Sequence, residues 1–525
     1  AVALAIGAGQ ALAFVQPELL ALPAEKFNEL ASADALASYR HMFDNLDRQR
    51  EHVRSQEVEE VLAQMGEVTR TASEAFSQLD NADLEYGDVQ DEHGNTVALT
   101  KGRYGLLMES QDRDVRRAAH ASMMDAYLRH GHTISSLYSG SVRKDVTIAR
   151  IRGYESSRSE ALFDDNVPDA VYDTLIDVVR DASPVLRRYL DLRKQALDLD
   201  QLEVYDLRVP LAPESTRHYD YREAVEIVLR GVRALGNEYV NDLRTGFESR
   251  WVDVHETKGK RSGAYSWGAY GAPPVMLMNW NGTLSDVFTL AHEAGHAMHS
   301  FYSNRAQPFH LAGYPIFLAE IASTVNEVLL TWDLLGRDEA KDPVQRFALL
   351  NRFADTMHGT VFRQTMFAEF EQRAHALFEG GAPLTREGLD DIYGELHEAY
   401  LPGVAVDESV RSGWSRIPHF YRAFYVFQYA TGMSAAVNIA RAVRDEGEPA
   451  QRRYLEMLAS GGADYPMNIL KRAGVDLAQR QPLEVAMAEF ESTIAEMEEL
   501  AGQGVLEEAA KQAAAQAKAA QGDQE

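Results

Sequence analysis

A mainly α-helical fold with one small β-sheet is what the sequence predicts, on three observations. Apolar residues recur at helical spacing through most of the chain from residue 24 to about residue 500. Turn-forming clusters are short and few. Only between 263 and 280 do Gly, Pro, aromatic and apolar residues alternate as they do in strands. A length of 525 residues exceeds one ordinary domain, and a hydrophobic content of 45% is ample for a large core.

Taken in order, Ala1-Val-Ala-Leu-Ala-Ile-Gly7 is apolar but has no basic flank. Gly7, Gly9 and Gln10 interrupt it, so neither a signal peptide nor a membrane-spanning helix is expected. Residues 24–84 read as charged amphipathic helices, with His52 and its neighbouring histidines on the surface. Tyr86-Gly-Asp-Val-Gln-Asp-Glu-His-Gly-Asn95 has the composition of a hairpin tip or loop. Helices are expected over 110–150, 168–182, 184–198 and 221–247, with Val204-Tyr-Asp-Leu-Arg-Val-Pro210 as a short extended piece. Arg150-Ile-Arg-Gly-Tyr-Glu-Ser156 is the expected boundary between an N-terminal helical region, 1–150, and a larger body, 151–500, packed intimately together. In the strand-like stretch, Pro273-Pro274 suits either an edge strand, which can hold a peptide backbone by strand addition, or an ordinary core strand. Further helices are expected over 347–378, 385–400 and 418–444. Residues 501–525, rich in Ala, Gln, Glu and Lys, read as a low-complexity tail of frayed helix or disorder.

Charge narrows the partners. Asp and Glu outnumber Lys and Arg 80 to 52, for a net charge of −28, a surface that repels nucleic acid and anionic membranes. With no cysteine, disulfides, thiolate metal sites and cysteine nucleophiles are all excluded. That composition suits a reducing compartment, and a cytoplasmic location is expected.

The chemistry gathers in Thr283-Leu-Ser-Asp-Val-Phe-Thr-Leu-Ala-His-Glu-Ala-Gly-His-Ala-Met-His299. Thr283-x-x-Asp286 reads as a capping box, and Val287, Phe288, Leu290 and Ala291 supply an apolar face. His292 and His296, four apart on that helix, point both imidazoles at one spot where a Zn²⁺ ion can take a nitrogen from each. Glu293 projects beside them, placed to reach a metal-activated water without ligating the metal. With 16 His in the chain such a spacing can arise by chance, so a third ligand is required. The position ten residues after His292 is Tyr302, which cannot serve. The next acids are Glu320 and Glu327, on a helix over 315–335 that opens at Pro315. Glu320, Ser323, Thr324 and Glu327 form a polar stripe on an otherwise apolar helix, with no Lys or Arg between Arg305 and Arg337. A solvated face normally carries such cations, so the stripe reads as functional.

Several stretches resemble oligoendopeptidase F, in the thimet oligopeptidase group of zinc metallopeptidases. They are Gly263-Ala-Tyr-Ser-Trp-Gly-Ala-Tyr270, the run from Pro274 through the metal motif to Ser300, and Ala319-Glu-Ile-Ala-Ser-Thr-Val-Asn-Glu327. Arg416-Ile-Pro-His-Phe-Tyr-Arg-Ala-Phe-Tyr-Val-Phe-Gln-Tyr-Ala-Thr-Gly432 and Ser460-Gly-Gly-Ala-Asp-Tyr-Pro466 complete the set. The resemblance spans about Pro17 to Glu499 and implies further helical sequence ahead of Pro17. It implies a two-lobed helical metallopeptidase with a deep cleft, one Zn²⁺ per chain and short unstructured peptides as substrates, with 151–500 as the catalytic domain. It also implies His292, His296 and Glu320 as the ligands. Glu327 lies seven residues, about 10 Å, along the helix from Glu320, so Glu327 and His299 are expected to support the ligands from behind.

The resemblance further implies that a His and a Tyr near 416–432 donate hydrogen bonds to the oxyanion formed on peptide hydrolysis. His419, Tyr421 and Tyr425 are the candidates, the two tyrosines on one face of the expected 418–444 helix. One alternative activity is that of a zinc carboxypeptidase or dipeptidyl carboxypeptidase. It would need a cation such as Arg411, Arg416 or Arg422 to grip a substrate's terminal carboxylate. A non-catalytic peptide-binding protein is the other alternative, and it has no need of Glu293.

Overall fold

The computed structural model describes residues 14–213 and 217–522, together with positions 4, 7 and 11. Apart from positions 4 and 7, the apolar opening Ala1–Gly7 lies outside them. The amphipathic patterns of 24–84 become helices at Ala24–Ser32, Arg40–Gln49, Gln56–Thr69 and Thr71–Gln78. The first two bury Phe27, Phe43 and Leu46 in a small cluster of their own. The main apolar core begins at Phe76 and continues to Ala509. Between 86 and 98 the turn residues form a hairpin, β1 (Asp88–Gln90) against β2 (Thr96–Ala98), with Gly94 at φ +77° in its turn.

Helices Arg113–Arg129 and Gly131–Arg152 follow, the second ending at left-handed Gly153 (φ +76°). The core runs across Arg150–Ser156 without interruption. The Ser157 amide and hydroxyl both donate to Glu379 Oε1, at 2.8 and 2.6 Å, tying this turn to the body.

Three local expectations change, and the tail takes one of its two expected forms. Val204–Asp206 is a 3₁₀ turn, not an extended piece, because the Asp206 carboxylate accepts the Glu203 amide at 3.0 Å and pairs with Arg113 and Arg116. Gly236 (φ +93°) interrupts the expected 221–247 helix, leaving Tyr221–Gly231, a 3₁₀ turn and Asn237–Glu248. Helix does not begin at 418: a short 3₁₀ turn covers Pro418–Tyr421, and regular helix starts only at Phe427. The tail is helical from Val505 to Gly522, anchored by burial of Val505 and Ala509.

Three strands make the sheet beside the motif helix: β3 (Val252–Asp253), β4 (Tyr265–Trp267) and β5 (Val275–Leu277), in the order β3-β5-β4. β5 runs parallel to β3 and antiparallel to β4, with Ser266 opposite Met276. Pro273 and Pro274 therefore precede the central strand, and the edges are β3 and β4. A Cβ on Gly268, just after β4, would collide with Ser300, so glycine lets the sheet sit directly on the motif helix.

That helix is α1 (Leu284–Ala306). It is capped as a box, with the Asp286 amide donating to Thr283 Oγ1 (3.1 Å) and the Thr283 amide to Asp286 Oδ2 (3.0 Å). Pro315 caps α2 (Ile316–Leu335), which packs along α1. Their closeness depends on Gly295, where a Cβ would lie 2.5 Å from Ala322 O and from Ser323 Cα. Buried Asn326 bridges the pair, donating to Ala291 O at 3.0 Å and accepting from Tyr239 OH at 3.1 Å. Behind them stand α3 (Pro343–Met357), a π-helical turn at 358–362, α4 (Arg363–Glu379) and α5 (Phe427–Glu446).

Candidate metal centre

The close α1–α2 contact brings three potential ligands together. His292 Nε2 lies 3.2 Å from His296 Nε2, and Glu320 Oε2 is 3.6 Å from the first and 3.5 Å from the second. Among the described residues this is the one group of three such side chains close enough to share an ion. Donors around a tetrahedral zinc at about 2.0–2.1 Å stand about 3.3 Å from one another. The three atoms already have that spacing, so the residues fit zinc. Glu327 lies two turns beyond Glu320, its Oε1 2.6 Å from His292 Nδ1, which fixes the tautomer that turns Nε2 toward the other ligands.

Burial opposes charge on His292, but the Glu327 hydrogen bond and the charges of Glu327, Glu320 and Glu293 outweigh it and push the imidazole up to about 9. Contact with His296 holds the Glu320 carboxyl below its usual range despite burial. Glu293 is 6% exposed and its Oε2 has no partner. Burial raises its carboxyl, against the pull of His292 and His296. His299 does not reach the ligands by hydrogen bond. It is fully buried, both ring nitrogens lack partners, and it stacks on Tyr314 at 3.6 Å. Burial, then His296, pushes it down to about 3, so it is a neutral packing group.

The segment before α5 separates the remaining candidates. Phe424 takes a left-handed φ of +54°, and its amide donates to buried Glu371 Oε1 at 3.0 Å. This bend sends the two expected tyrosines to different places. Tyr425 lies parallel to His419, ring centres 6.2 Å apart, and edge-on to Tyr429 at 5.5 Å. Tyr421 instead stacks on Phe76 at 4.3 Å and packs against Tyr138, its hydroxyl buried and unpartnered. The expected helical face that would have paired Tyr421 with Tyr425 does not exist. Burial, then Arg363 and Arg422, lowers His419, leaving it a neutral imidazole.

Comparison with known proteins places this geometry. Peptidase family M3 matches residues 106–489, and Oligopeptidase F matches residues 18–86. The chain belongs to peptidase family M3. Oligopeptidase PepF of Bacillus subtilis is 42% identical over 94% of this chain and 74% of its own length. An oligoendopeptidase F homolog of Lactococcus lactis is also 42% identical, over 96% and 84%. The crystal structure of oligoendopeptidase-F from Enterococcus faecium superposes with a TM-score of 0.78 at 37% identity, covering 93% of this chain and 83% of that one. Membership makes the chain a metallopeptidase with a mainly α fold.

Within this M3 site, sequence reasoning overlooked Tyr429. It packs edge-on against both Tyr425 (5.5 Å) and His419 (6.1 Å), and burial, then Tyr425 and the charge of Glu320, raises its hydroxyl. The signal was present as Tyr425-x-x-x-Tyr429, one helical turn apart, but the expected helix start at 418 favoured Tyr421. The outer side of β4 pairs with no other strand among the described residues, and its Tyr265 and Trp267 are exposed.

Proposed function

We propose that this chain is a zinc-dependent endopeptidase that hydrolyses internal bonds of short, unstructured peptides. The observation that carries the reading is the 3.2–3.6 Å triangle of His292 Nε2, His296 Nε2 and Glu320 Oε2, backed by Glu327. These three atoms would hold the zinc. When bound, zinc supplies Lewis-acid polarisation of the scissile carbonyl and a water acidified toward neutrality.

This chain's own residues do the rest. Glu293 accepts the attacking water's proton on its carboxylate and passes it to the leaving amine nitrogen, a transfer aided by the burial that raises its basicity. Glu327 keeps the His292 proton on Nδ1. Neutral His419, with Tyr425 and Tyr429, lines the side of the site where the carbonyl oxygen gains charge, and donors there are worth a few kcal/mol. The open edge of β4 offers backbone groups to an extended peptide, with Tyr265 and Trp267 beside its side chains. No described helix is long and apolar enough to cross a membrane. We place the enzyme in the cytoplasm on its lack of cysteine.

The test is mass spectrometry of peptide digests with and without chelator, repeated with Glu293→Gln. Internal cleavage that chelator abolishes and zinc restores is expected, with kcat of the zinc-loaded variant down by several orders of magnitude. Release of single residues or dipeptides from the C terminus, or near-normal turnover by Glu293→Gln, would overturn it.

A further inference from the structure

Apart from the contacts of the metal-site side chains, a single polar contact joins α1 to α2 among the described residues. His292 and His296 meet Glu320 and Glu327, and the remaining bond runs from Asn326 Nδ2 to Ala291 O at 3.0 Å. Asn326 is fully buried, and its side-chain oxygen accepts the Tyr239 hydroxyl at 3.1 Å. Tyr239, also fully buried, stands on the helix Asn237–Glu248 with its ring nearly parallel to that of Tyr302 on α1, centres 6.3 Å apart. The hydroxyl that orients Asn326 is therefore itself placed against α1. Together they form a closed brace, from Tyr302 on α1 through Tyr239 to Asn326 on α2, and back to Ala291, the residue before His292.

Stability alone does not explain an amide at this place. Around it α2 is apolar, with Ile321, Ala322, Val325, Val328 and Leu329 all buried. A buried polar side chain pays a desolvation cost that its hydrogen bonds do little more than offset, and apolar replacement of both partners is often neutral. What a buried amide does supply is alignment, since it is satisfied in one register of two helices and orphaned in others, as in coiled coils. The metal centre needs that alignment. Where α1 and α2 touch, Gly295 faces Ala322 and Ser323, and residues this small do little to stop one helix sliding on the other. A slide of one residue, about 1.5 Å, exceeds the tolerance of about 0.5 Å within which a functional constellation must be held. The contacts of His292 and His296 with the two acids are poor locks, because they are remade whenever metal binds or leaves.

We infer that Asn326, held by Tyr239, is a positioning residue for the metal centre. It fixes the register of α2 on α1 and so sets where Glu320 and Glu327 stand relative to His292 and His296. Asn326 acts through the ligands and touches neither metal nor substrate. The inference rests on the zinc reading above and adds residues outside the ligand set that determine metal affinity.

Zinc titration against a competing chelator, paired with thermal melts of the metal-free protein, tests it. Wild type is compared with Tyr239→Phe and with the double variant Asn326→Ala/Tyr239→Phe, which leaves no buried hydroxyl without a partner. Tyr172→Phe is the control, removing another buried hydroxyl-to-carbonyl bond, to Ala368 O at 2.6 Å. The double variant should bind zinc about ten- to a hundredfold more weakly, and Tyr239→Phe about two- to fivefold, the scale of groups that support a ligand set. Tyr172→Phe should melt earlier yet bind zinc as wild type does. Cobalt(II) in place of zinc should lose part of its tetrahedral visible absorption in the double variant. A purely structural Asn326 would instead give earlier melting with wild-type zinc affinity and cobalt spectrum in the folded protein. That result would overturn the inference while leaving the zinc reading intact. Where the double variant does not fold, Tyr239→Phe decides, and wild-type zinc affinity in it would overturn the inference equally. Wild type that takes up no zinc would overturn both.

Discussion

Two sides of the metal centre are built by different means. On the ligand side, two regular helices carry His292, His296, Glu320 and Glu327, and their separation is set by the bare backbone at Gly295. The other candidate residues sit on less regular chain, His419 in the 3₁₀ turn Pro418–Tyr421 and Tyr425 between that turn and α5, where the chain is bent at Phe424 and held by the hydrogen bond from its amide to Glu371. Helical spacing and close packing bring the first three residues of the first set to within 3.2–3.6 Å of one another. Placement of the second depends on one buried long-range bond. The helical side should therefore fail through the metal, and the irregular side through turnover with the metal retained.

The largest effects belong to the helical side. Glu320→Ala removes one of the three proposed ligand atoms, and Gly295→Ala places a methyl 2.5 Å from the α2 backbone. Both should retain little zinc after dialysis, read by metal analysis. Gly295→Ala should also lose about 1–3 kcal/mol of stability in denaturant titration, the usual cost of overpacking. Stoichiometric zinc in Gly295→Ala would show that the helices separate without losing the site.

On the irregular side, Tyr429→Phe should lower kcat about a hundredfold or more while zinc content stays at one per chain. Tyr421→Phe should leave steady-state kinetics within about twofold. A reversal of that pair would return Tyr421 to the site and contradict its packing on Phe76.

Glu327→Ala should keep zinc but bind it about ten- to a hundredfold more weakly in competition with a chelator. The same contact predicts a pH dependence. In the metal-free protein His292 is raised from 6.5 to about 9, so its paired, protonated form stabilises the fold fully below about pH 6.5. That contribution is lost as pH rises through 9. Thermal melts of chelated protein should show the loss, and Glu327→Ala should flatten it. Zinc must displace this proton, so its apparent affinity should fall as pH drops below 9.

The smallest effect tests the bend. Glu371 is fully buried, and burial holds its carboxyl well above the usual range. Glu371→Gln keeps an acceptor for the Phe424 amide and should keep near-normal turnover. Glu371→Leu leaves that amide unsatisfied and should lower kcat about tenfold at unchanged zinc content. Equal activity in the two variants would release the segment from control by Glu371.

The same contrast explains what could be read from sequence. The capping box at Thr283, the four-residue spacing of His292 and His296 and the polar stripe on α2 are local periodicities, and the structure follows them closely. The family resemblance selected Glu320 over Glu327 for the ligand set, and spacing showed why one ion cannot reach both. Tyr421 and the 418–444 helix failed because Pro418 and the aromatic run look helical locally. What bends them is Glu371, 53 residues away, and no local pattern reports such a contact. His299 had the right residue type one turn from the motif, but its environment is set by Tyr314 stacking on it. The placement of Pro273-Pro274 before a central strand likewise depended on strand order, which composition does not encode.

The open edge of β4 has a colloidal consequence. A short strand with free backbone groups and exposed Tyr265 and Trp267 (45% and 69%) is a template for any extended segment, including one from another copy of the chain. Mutual repulsion between molecules carrying 28 excess negative charges opposes such pairing. Salt shortens the reach of that repulsion to about 10 Å at 0.1 M and about 3 Å at 1 M. Concentrated, substrate-free protein should therefore self-associate more readily as salt is raised, independently of its folding stability.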